Sequence, residues 1–159
     1  MSESRYDPRY DPRAPEAEKP RPFSDLPPPP PDVTPGGELY DWYIRGLDLL
    51  ASGDANAAVQ LLAHTSGAEP ESRMVREALA RAQFDVGMYE EARSNFTWIV
   101  GIDPADDYAQ FGLGLAATKL GDLPSAVEHL ALAAAMRPDI SYYGTALRWA
   151  RAALTASRR

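Results

Sequence analysis

An all-α solenoid of paired helices with a proline-rich leader is the fold this sequence predicts, and two observations predict it. Five residue columns recur every 34 positions through three copies without a gap. Composition also changes abruptly: proline crowds the chain before residue 36, and alanine, leucine, glycine and arginine take over from Leu39 onward. The first segment cannot sustain helices, and the second is made of residues that favour them.

The leader comes first. Of 15 prolines, eleven precede residue 36, leaving Pro70, Pro104, Pro124 and Pro138 for the rest of the chain. Residues 1–36 mix charge with proline and hold few large apolar groups, so too little surface is available for burial to offset the entropy of ordering. The segment is predicted to be disordered, with a semi-rigid polyproline II stretch at LPPPPPDV. The tandem YDPRYDPR reads as a linear recognition motif or as a duplicated piece of linker.

Residues 37–159 are predicted to form one helical domain, and the repeat lies within it. LLASGDANAAVQLL, FDVGMYEEARSNF and ATKLGDLPSAVEHL superimpose at shifts of 34 residues. The columns are Gly46, Ala80 and Gly114; Gly53, Gly87 and Gly121; Ala58, Ala92 and Ala126; Leu62, Phe96 and Leu130; and Pro70, Pro104 and Pro138. Each column has a physical reason. A small residue on the first helix lets a neighbouring helix approach. The second glycine ends that helix, where the left-handed conformation favours glycine. Asp54 and Asp122 follow it and are placed to cap the next helix. Met88 interrupts this in the middle copy, where Glu90 and Glu91 offer only dipole compensation. The alanine and the bulky residue share one face of the second helix, and the proline stops it.

These residues resemble the tetratricopeptide repeat family, whose unit is a 34-residue helix-turn-helix. The resemblance rests on YIRGLDLLASGDANAAVQLL, LARAQFDVGMYEEARSNFTWIVGIDP and LGLAATKLGDLPSAVEHLALAAAMRP. It implies a right-handed α-solenoid with repeats at 39–72, 73–106 and 107–140. Two departures stand out. Trp42 alone supplies the large aromatic that the family favours early in the first helix, with Arg76 and Gln110 in its place later. The second helix of the first copy is expected to end weakly, in HTSGAEP. Alanine and arginine enrichment gives the chain the look of short repeat proteins of high-GC bacteria.

The final segment, SYYGTALRWARAALTASRR, contains no acid. Repeat arrays need a terminal unit with a polar outer face, so residues 141–157 are expected to form a capping helix with Leu147 and Leu154 toward the last repeat. The arginines also allow a basic patch for an acidic partner.

The resemblance places a ligand groove on the concave side of the first helices. Its lining would be Tyr40, Tyr43, Ile44 and Leu47 from the first copy, with Leu50 beside them. The second copy gives Met74, Glu77, Ala78, Arg81 and Phe84, the third Tyr108, Phe111, Leu115 and Lys119, and the cap Tyr142, Thr145 and Trp149. A second apolar face, carrying Trp42, Leu49, Leu79, Leu113 and Leu147, belongs to the core. Two apolar faces on one helix mean burial on both sides or an exposed sticky groove. Family members that bind chaperone tails hold the peptide carboxylate with Lys, Arg and Asn; here Arg81 and Lys119 are the only cations of the lining, so that clamp is not expected.

The implied function is an adaptor that holds a peptide or helix of another protein. The alternatives are self-association, through the groove or an exposed Trp98 edge, and a regulatory subunit of an enzyme. Aromatic grooves accept polyproline II segments, so FSDLPPPPPDV is a candidate for intramolecular contact with the groove. The chain has no cysteine, which removes disulfides, thiolate metal sites and a cysteine nucleophile. His64 and His129 lack a nucleophile motif, DPADD lacks the pattern of a calcium loop, and GLGL lacks that of a phosphate loop. No catalysis and no cofactor are expected. A net charge of −7 argues against nucleic acid. MSESRYDPRYDPR has no apolar run of the kind a signal peptide needs, and no membrane span is expected. The expected setting is the cytoplasm.

Overall fold

The computed structural model describes residues 37–159, so the disorder and polyproline readings of residues 1–36 lie outside the described residues. Within 37–159 the chain forms seven α-helices and no strand. They are α1 (Gly37–Ala51), α2 (Ala55–Ala68), α3 (Arg73–Asp85), α4 (Tyr89–Ile102), α5 (Asp107–Lys119), α6 (Leu123–Met136) and α7 (Ser141–Ser157).

The three turns inside the pairs are built alike. Gly53, Gly87 and Gly121 take φ of +87°, +89° and +80°. The next N–H reaches back over the helix end, from Asp54 to Leu49, Met88 to Gln83 and Asp122 to Ala117, at 2.8–2.9 Å. Each glycine N–H donates to the carbonyl three residues back, of Leu50, Phe84 and Thr118. These paired bonds satisfy carbonyls that the helix end leaves open. The expected caps form: Asp54 accepts from the Ala57 N–H and Asp122 from that of Ser125, while Met88 makes no side-chain cap. Between pairs, Ser72 caps α3 and Asp106, within DPADD, caps α5; Ile140, the residue at the same phase, gives α7 no side-chain cap.

The small-residue column has the predicted use. A Cβ added to Gly114 would stand 2.6 Å from Leu130 Cγ and 3.2 Å from the Leu130 backbone N, and one on Gly46 would meet Leu62. Residues 62 and 130 are themselves repeat equivalents, so the helix pair closes by the same contact in the first and third copies. Gly112 adds another such contact, with its missing Cβ facing the Phe96 ring of the preceding pair.

Each helix packs on its neighbours in the chain. The first helices α1, α3, α5 and α7 also touch in succession, whereas the second helices α2, α4 and α6 do not touch one another. The array therefore curves toward the first helices, and their side is concave. Most of the core is one cluster running from α3 to α7, including Phe96, Ile99, Leu115, Leu130 and Tyr143. A smaller cluster, Leu50, Ala58, Leu62, Ala78, Leu79 and Ala82, joins the first pair to α3.

Two expectations need correction and one is refined. The second helix of the first pair ends within HTSGAEP, at Ala68, and α2 is as long as α4 and α6. Buried Thr65 stabilises that end, returning its hydroxyl to the Leu61 carbonyl at 2.8 Å, while the Glu69 N–H closes on the Thr65 carbonyl. Trp98 presents no exposed aromatic edge; it is half-buried, with the Arg76 guanidinium 4.1 Å from its ring centre. In the expected core set Leu79, Leu113 and Leu147 are buried, but Trp42 and Leu49 are only half-buried, because no described helix precedes α1 to cover them. On α7, Leu147 is buried and Leu154 half-buried, with Arg148, Arg151 and Arg158 exposed.

Candidate functional site

The concave face is built from the same register on each first helix. Tyr43, Glu77, Phe111 and Thr145 are one repeat apart, as are Leu47, Arg81, Leu115 and Trp149. Because α1, α3, α5 and α7 lie side by side, these rows run across the array rather than along one helix.

Exposure along the face is graded. On α1, Tyr40 (38 %) and Ile44 (37 %) are exposed, while Tyr43 and Leu47 are half-buried. On α3, Met74, Ala78, Arg81 and Phe84 are buried and Glu77 is half-buried. On α5 every residue from Tyr108 to Thr118 is buried, including Phe111 and Leu115. On α7, Tyr142 and Thr145 are buried and Trp149 is half-buried. Of the two outcomes that double apolar faces allow, α3 and α5 show burial on both sides. Lys119, at the exposed end of α5, lies 6.0 Å from the centre of the Tyr89 ring, near the turn between α3 and α4.

Two chemically distinct parts result. Toward α5 and α7 the face is aromatic. Phe111 stacks on Tyr143 at 4.7 Å between ring centres and meets the edge of Tyr142 at 5.2 Å, and Tyr108 lies 6.4 Å from Phe111. Tyr143 donates its hydroxyl to Asp107 at 2.7 Å. Burial first, then that bond, raises the Tyr143 pKa, so the proton stays on the tyrosine.

Toward α1 and α3 the face is polar within apolar surroundings. Glu77 and Arg81 stand one turn apart on α3, close enough to Tyr43 to affect its hydroxyl. Burial pushes the Glu77 carboxyl up to about 8, against the pull of Arg81 and Arg73 and with the push of Asp106 and Asp107. Burial, with Glu77 as the next cause, pushes the Tyr43 phenol up to about 12. Asp106 is also raised by burial, opposed by its cap bond to Ala109 and by Arg73. Arg73 reaches Asp103 at 3.1 Å and Asp106 at 3.9 Å, tying α3 to the turn before α5.

Sequence reasoning missed a set of polar links on the core side. Arg76 and Gln110, which stand where the family favours an aromatic, do a different job in that position. Arg76 Nε donates to the Pro70 carbonyl at 2.6 Å and Gln110 Nε2 to the Pro104 carbonyl at 3.0 Å. Arg76 also reaches Asn95, and Gln110 reaches His129 Nδ1 at 2.8 Å. Each polar residue thus ties the closing proline of one pair to the second helix of the next. The signal was available, since 70 and 104, 76 and 110, and 95 and 129 are all 34 apart. The other histidine, His64, lies against the Trp42 ring at 5.0 Å.

No protein-family model matches the chain, and no curated protein sequence matches it. Solved structures do. The TPR domain of Sgt2 from Aspergillus fumigatus superimposes with a TM-score of 0.72 at 19% identity, covering 82% of this chain and 88% of that one. The first TPR of Spaghetti (RPAP3), bound to HSP90 peptide SRMEEVD, gives 0.69 at 19% identity over 74% and 94% of the two chains. MamA from Desulfovibrio magneticus RS-1 gives 0.70 at 22% identity over 74% of this chain. This chain spans about two thirds of the MamA chains it matches, 65% and 67%. Identities this low carry the fold alone, and the fold of residues 37–159 is that of the tetratricopeptide repeat.

Proposed function

We propose that this protein is a non-catalytic adaptor of the cytoplasm that holds an extended peptide or a helix of another protein on the concave face of α1, α3, α5 and α7. The observation that carries the reading is the continuity of that face. Four helices present equivalent positions side by side, and the row passes from the partly exposed Tyr40, Tyr43, Ile44 and Leu47 to the aromatic junction of Phe111 and Tyr142. The peptide held by the first TPR of Spaghetti shows that the fold serves peptide binding in that protein. The ligand here is of different chemistry, since aromatic and aliphatic side chains dominate the lining and Lys119 lies at its rim. An acidic chain of net charge −7 is poorly suited to nucleic acid. The proline-rich segment ahead of α1 is tethered beside this face and competes for it.

The test is a pull-down from native lysate with the wild type, the variant Tyr40→Glu plus Tyr43→Glu, and the outer-face variant Glu128→Arg. Tyr40 is exposed and Tyr43 half-buried, so helicity by circular dichroism should survive in the first variant. A partner kept by wild type and Glu128→Arg but lost by the tyrosine variant is the expected result. Equal recovery by all three would move the binding site elsewhere. A second reading, self-association through the exposed Tyr40 and Ile44 of α1, predicts a dimer in light scattering that the same variant abolishes.

A further inference from the structure

We propose that copies of this chain associate head to tail, the exposed acidic face of α1 in one copy lying against the exposed arginine face of α7 in the next. The inference goes beyond the adaptor reading and does not depend on it, since the row from Tyr43 to Thr145 stays outside the contact. It also differs from a dimer of two α1 helices, because it joins unlike ends.

The repeat register identifies the acidic face. Val75, Ala78 and Ala82 of α3 are buried, as are their equivalents Ala109, Gly112 and Ala116 of α5. Ala78 and Ala82 belong to the cluster shared with the first pair, and Gly112 faces Phe96 of the pair before α5. This column is therefore where each first helix receives the preceding pair. On α1 the same positions are Asp41, Ile44 and Asp48, all exposed. With Glu38, α1 carries three acids, and Arg45 is its one base.

The far end repeats the pattern with the opposite sign. Gly114 of α5 closes on Leu130 of its partner helix, and Ala117, one turn on, is buried too. The same positions of α7 are Arg148 and Arg151, both exposed. Arg158 continues their side of the helix, and α7 contains no acid. The helix dipole does not account for Arg148 and Arg151, since neither lies in the last turn of α7. A terminal cap needs a polar face and leaves the sign of its charge free. Here the two ends take opposite signs.

Spacing matches as well. Asp41 and Asp48 are seven residues apart, and so are Arg151 and Arg158. Each pair thus spans about 10.5 Å along one side of its helix. Between the acids stands Ile44, 37 % exposed; between the arginines stand the small, exposed Ala152 and Thr155. Two such helices laid together pair both charges and set Ile44 on the small residues. Because the contact joins different surfaces, it adds copies in a row or closes a ring. Its exposed charges make it sensitive to salt.

The test is light scattering on the full chain at low salt, with two variants and their equal mixture. One variant is Asp41→Lys plus Asp48→Lys, and the other is Arg151→Ser plus Arg158→Ser. All four positions are exposed, so helicity by circular dichroism should match wild type. Wild type should grow past a dimer as its concentration rises and return to single chains at high salt. Each variant alone should stay a single chain. Their mixture should form a dimer and stop there, because the first variant keeps its α7 face and the second its α1 face. That dimer would itself show that both variants are folded. Wild type that remains a single chain at every concentration overturns the proposal, as does a mixture no larger than its parts. Association kept by the arginine variant and lost only by the aspartate variant would also overturn it, in favour of a symmetric α1 dimer.

Discussion

Glu77 shows at the scale of one residue how the concave face differs from an ordinary surface. A solvated glutamate titrates near its reference value of 4.5, and burial beside Tyr43 and Arg81 moves this one to about 8. The sign of the consequence follows from proton counting. Between about pH 4.5 and 8 the folded chain holds a proton on Glu77 that the unfolded chain has released, so stability falls as pH rises through this window. Asp106 is shifted the same way and adds to the slope at its acid end. Glu77→Gln keeps the shape and removes the titration, so its urea midpoint should fall less between pH 5 and 8 than that of wild type. Parallel curves for the two proteins would show that the carboxyl is solvated. No sequence pattern revealed this group's state. The repeat register placed Glu77 in the lining, but its pKa depends first on burial, which a sequence does not show, and then on Arg81, Arg73 and Asp106, the last of which lies off its own helix. The Tyr143–Asp107 bond was hidden for the same reason: it joins residues 36 apart, outside the 34-residue period.

At the scale of the element, the sequence was most informative where backbone chemistry leaves little choice. Positive φ at Gly53, Gly87 and Gly121, the paired turn bonds and the caps at Asp54 and Asp122 are local rules, and all were legible. The end of α2 in HTSGAEP was legible from the weak propensity of HTSGA, but the burial of Thr65 that stabilises it was not. Arg76 and Gln110 were registered as departures, yet their partners are carbonyls and side chains of other helices, which propensity does not see. The caps also set an expectation within the protein itself. Asp54→Ala and Asp122→Ala should each cost about 0.5–2 kcal/mol, whereas Met88→Ala at the equivalent position has no cap bond to lose. Denaturant midpoints with unchanged slopes would read this. A Met88→Ala loss as large as the two aspartate losses would mean that the aspartates contribute through something other than their caps.

At the scale of the whole molecule, a solenoid holds together through neighbours only, so stability need not be uniform along it. The large cluster extends from α3 through α7, while the first pair rests on six buried residues, three of them on α3. That makes α3 the hinge of the core: Ala78, Leu79 and Ala82 face the first pair, and Ala80 and Phe84 face the rest. The same asymmetry appears at the surface, where Tyr40 and Ile44 of α1 are exposed and α5 is buried on every side. Local opening draws on regions with few buried apolar contacts, so α1 and α2 should open without the remaining helices. In native-state hydrogen exchange their amides should be the least protected of the seven helices and those of α5 and α6 the most. Addition of denaturant should merge the classes only near the global transition. Equal protection of α2 and α5 would show instead one cooperative unit. The functional stake is in the position of that weak end, because α1 carries the exposed part of the concave face and adjoins the proline-rich segment. A partner entering there meets the helix pair that is easiest to move, and partner binding should then raise the protection of α1 more than that of α5.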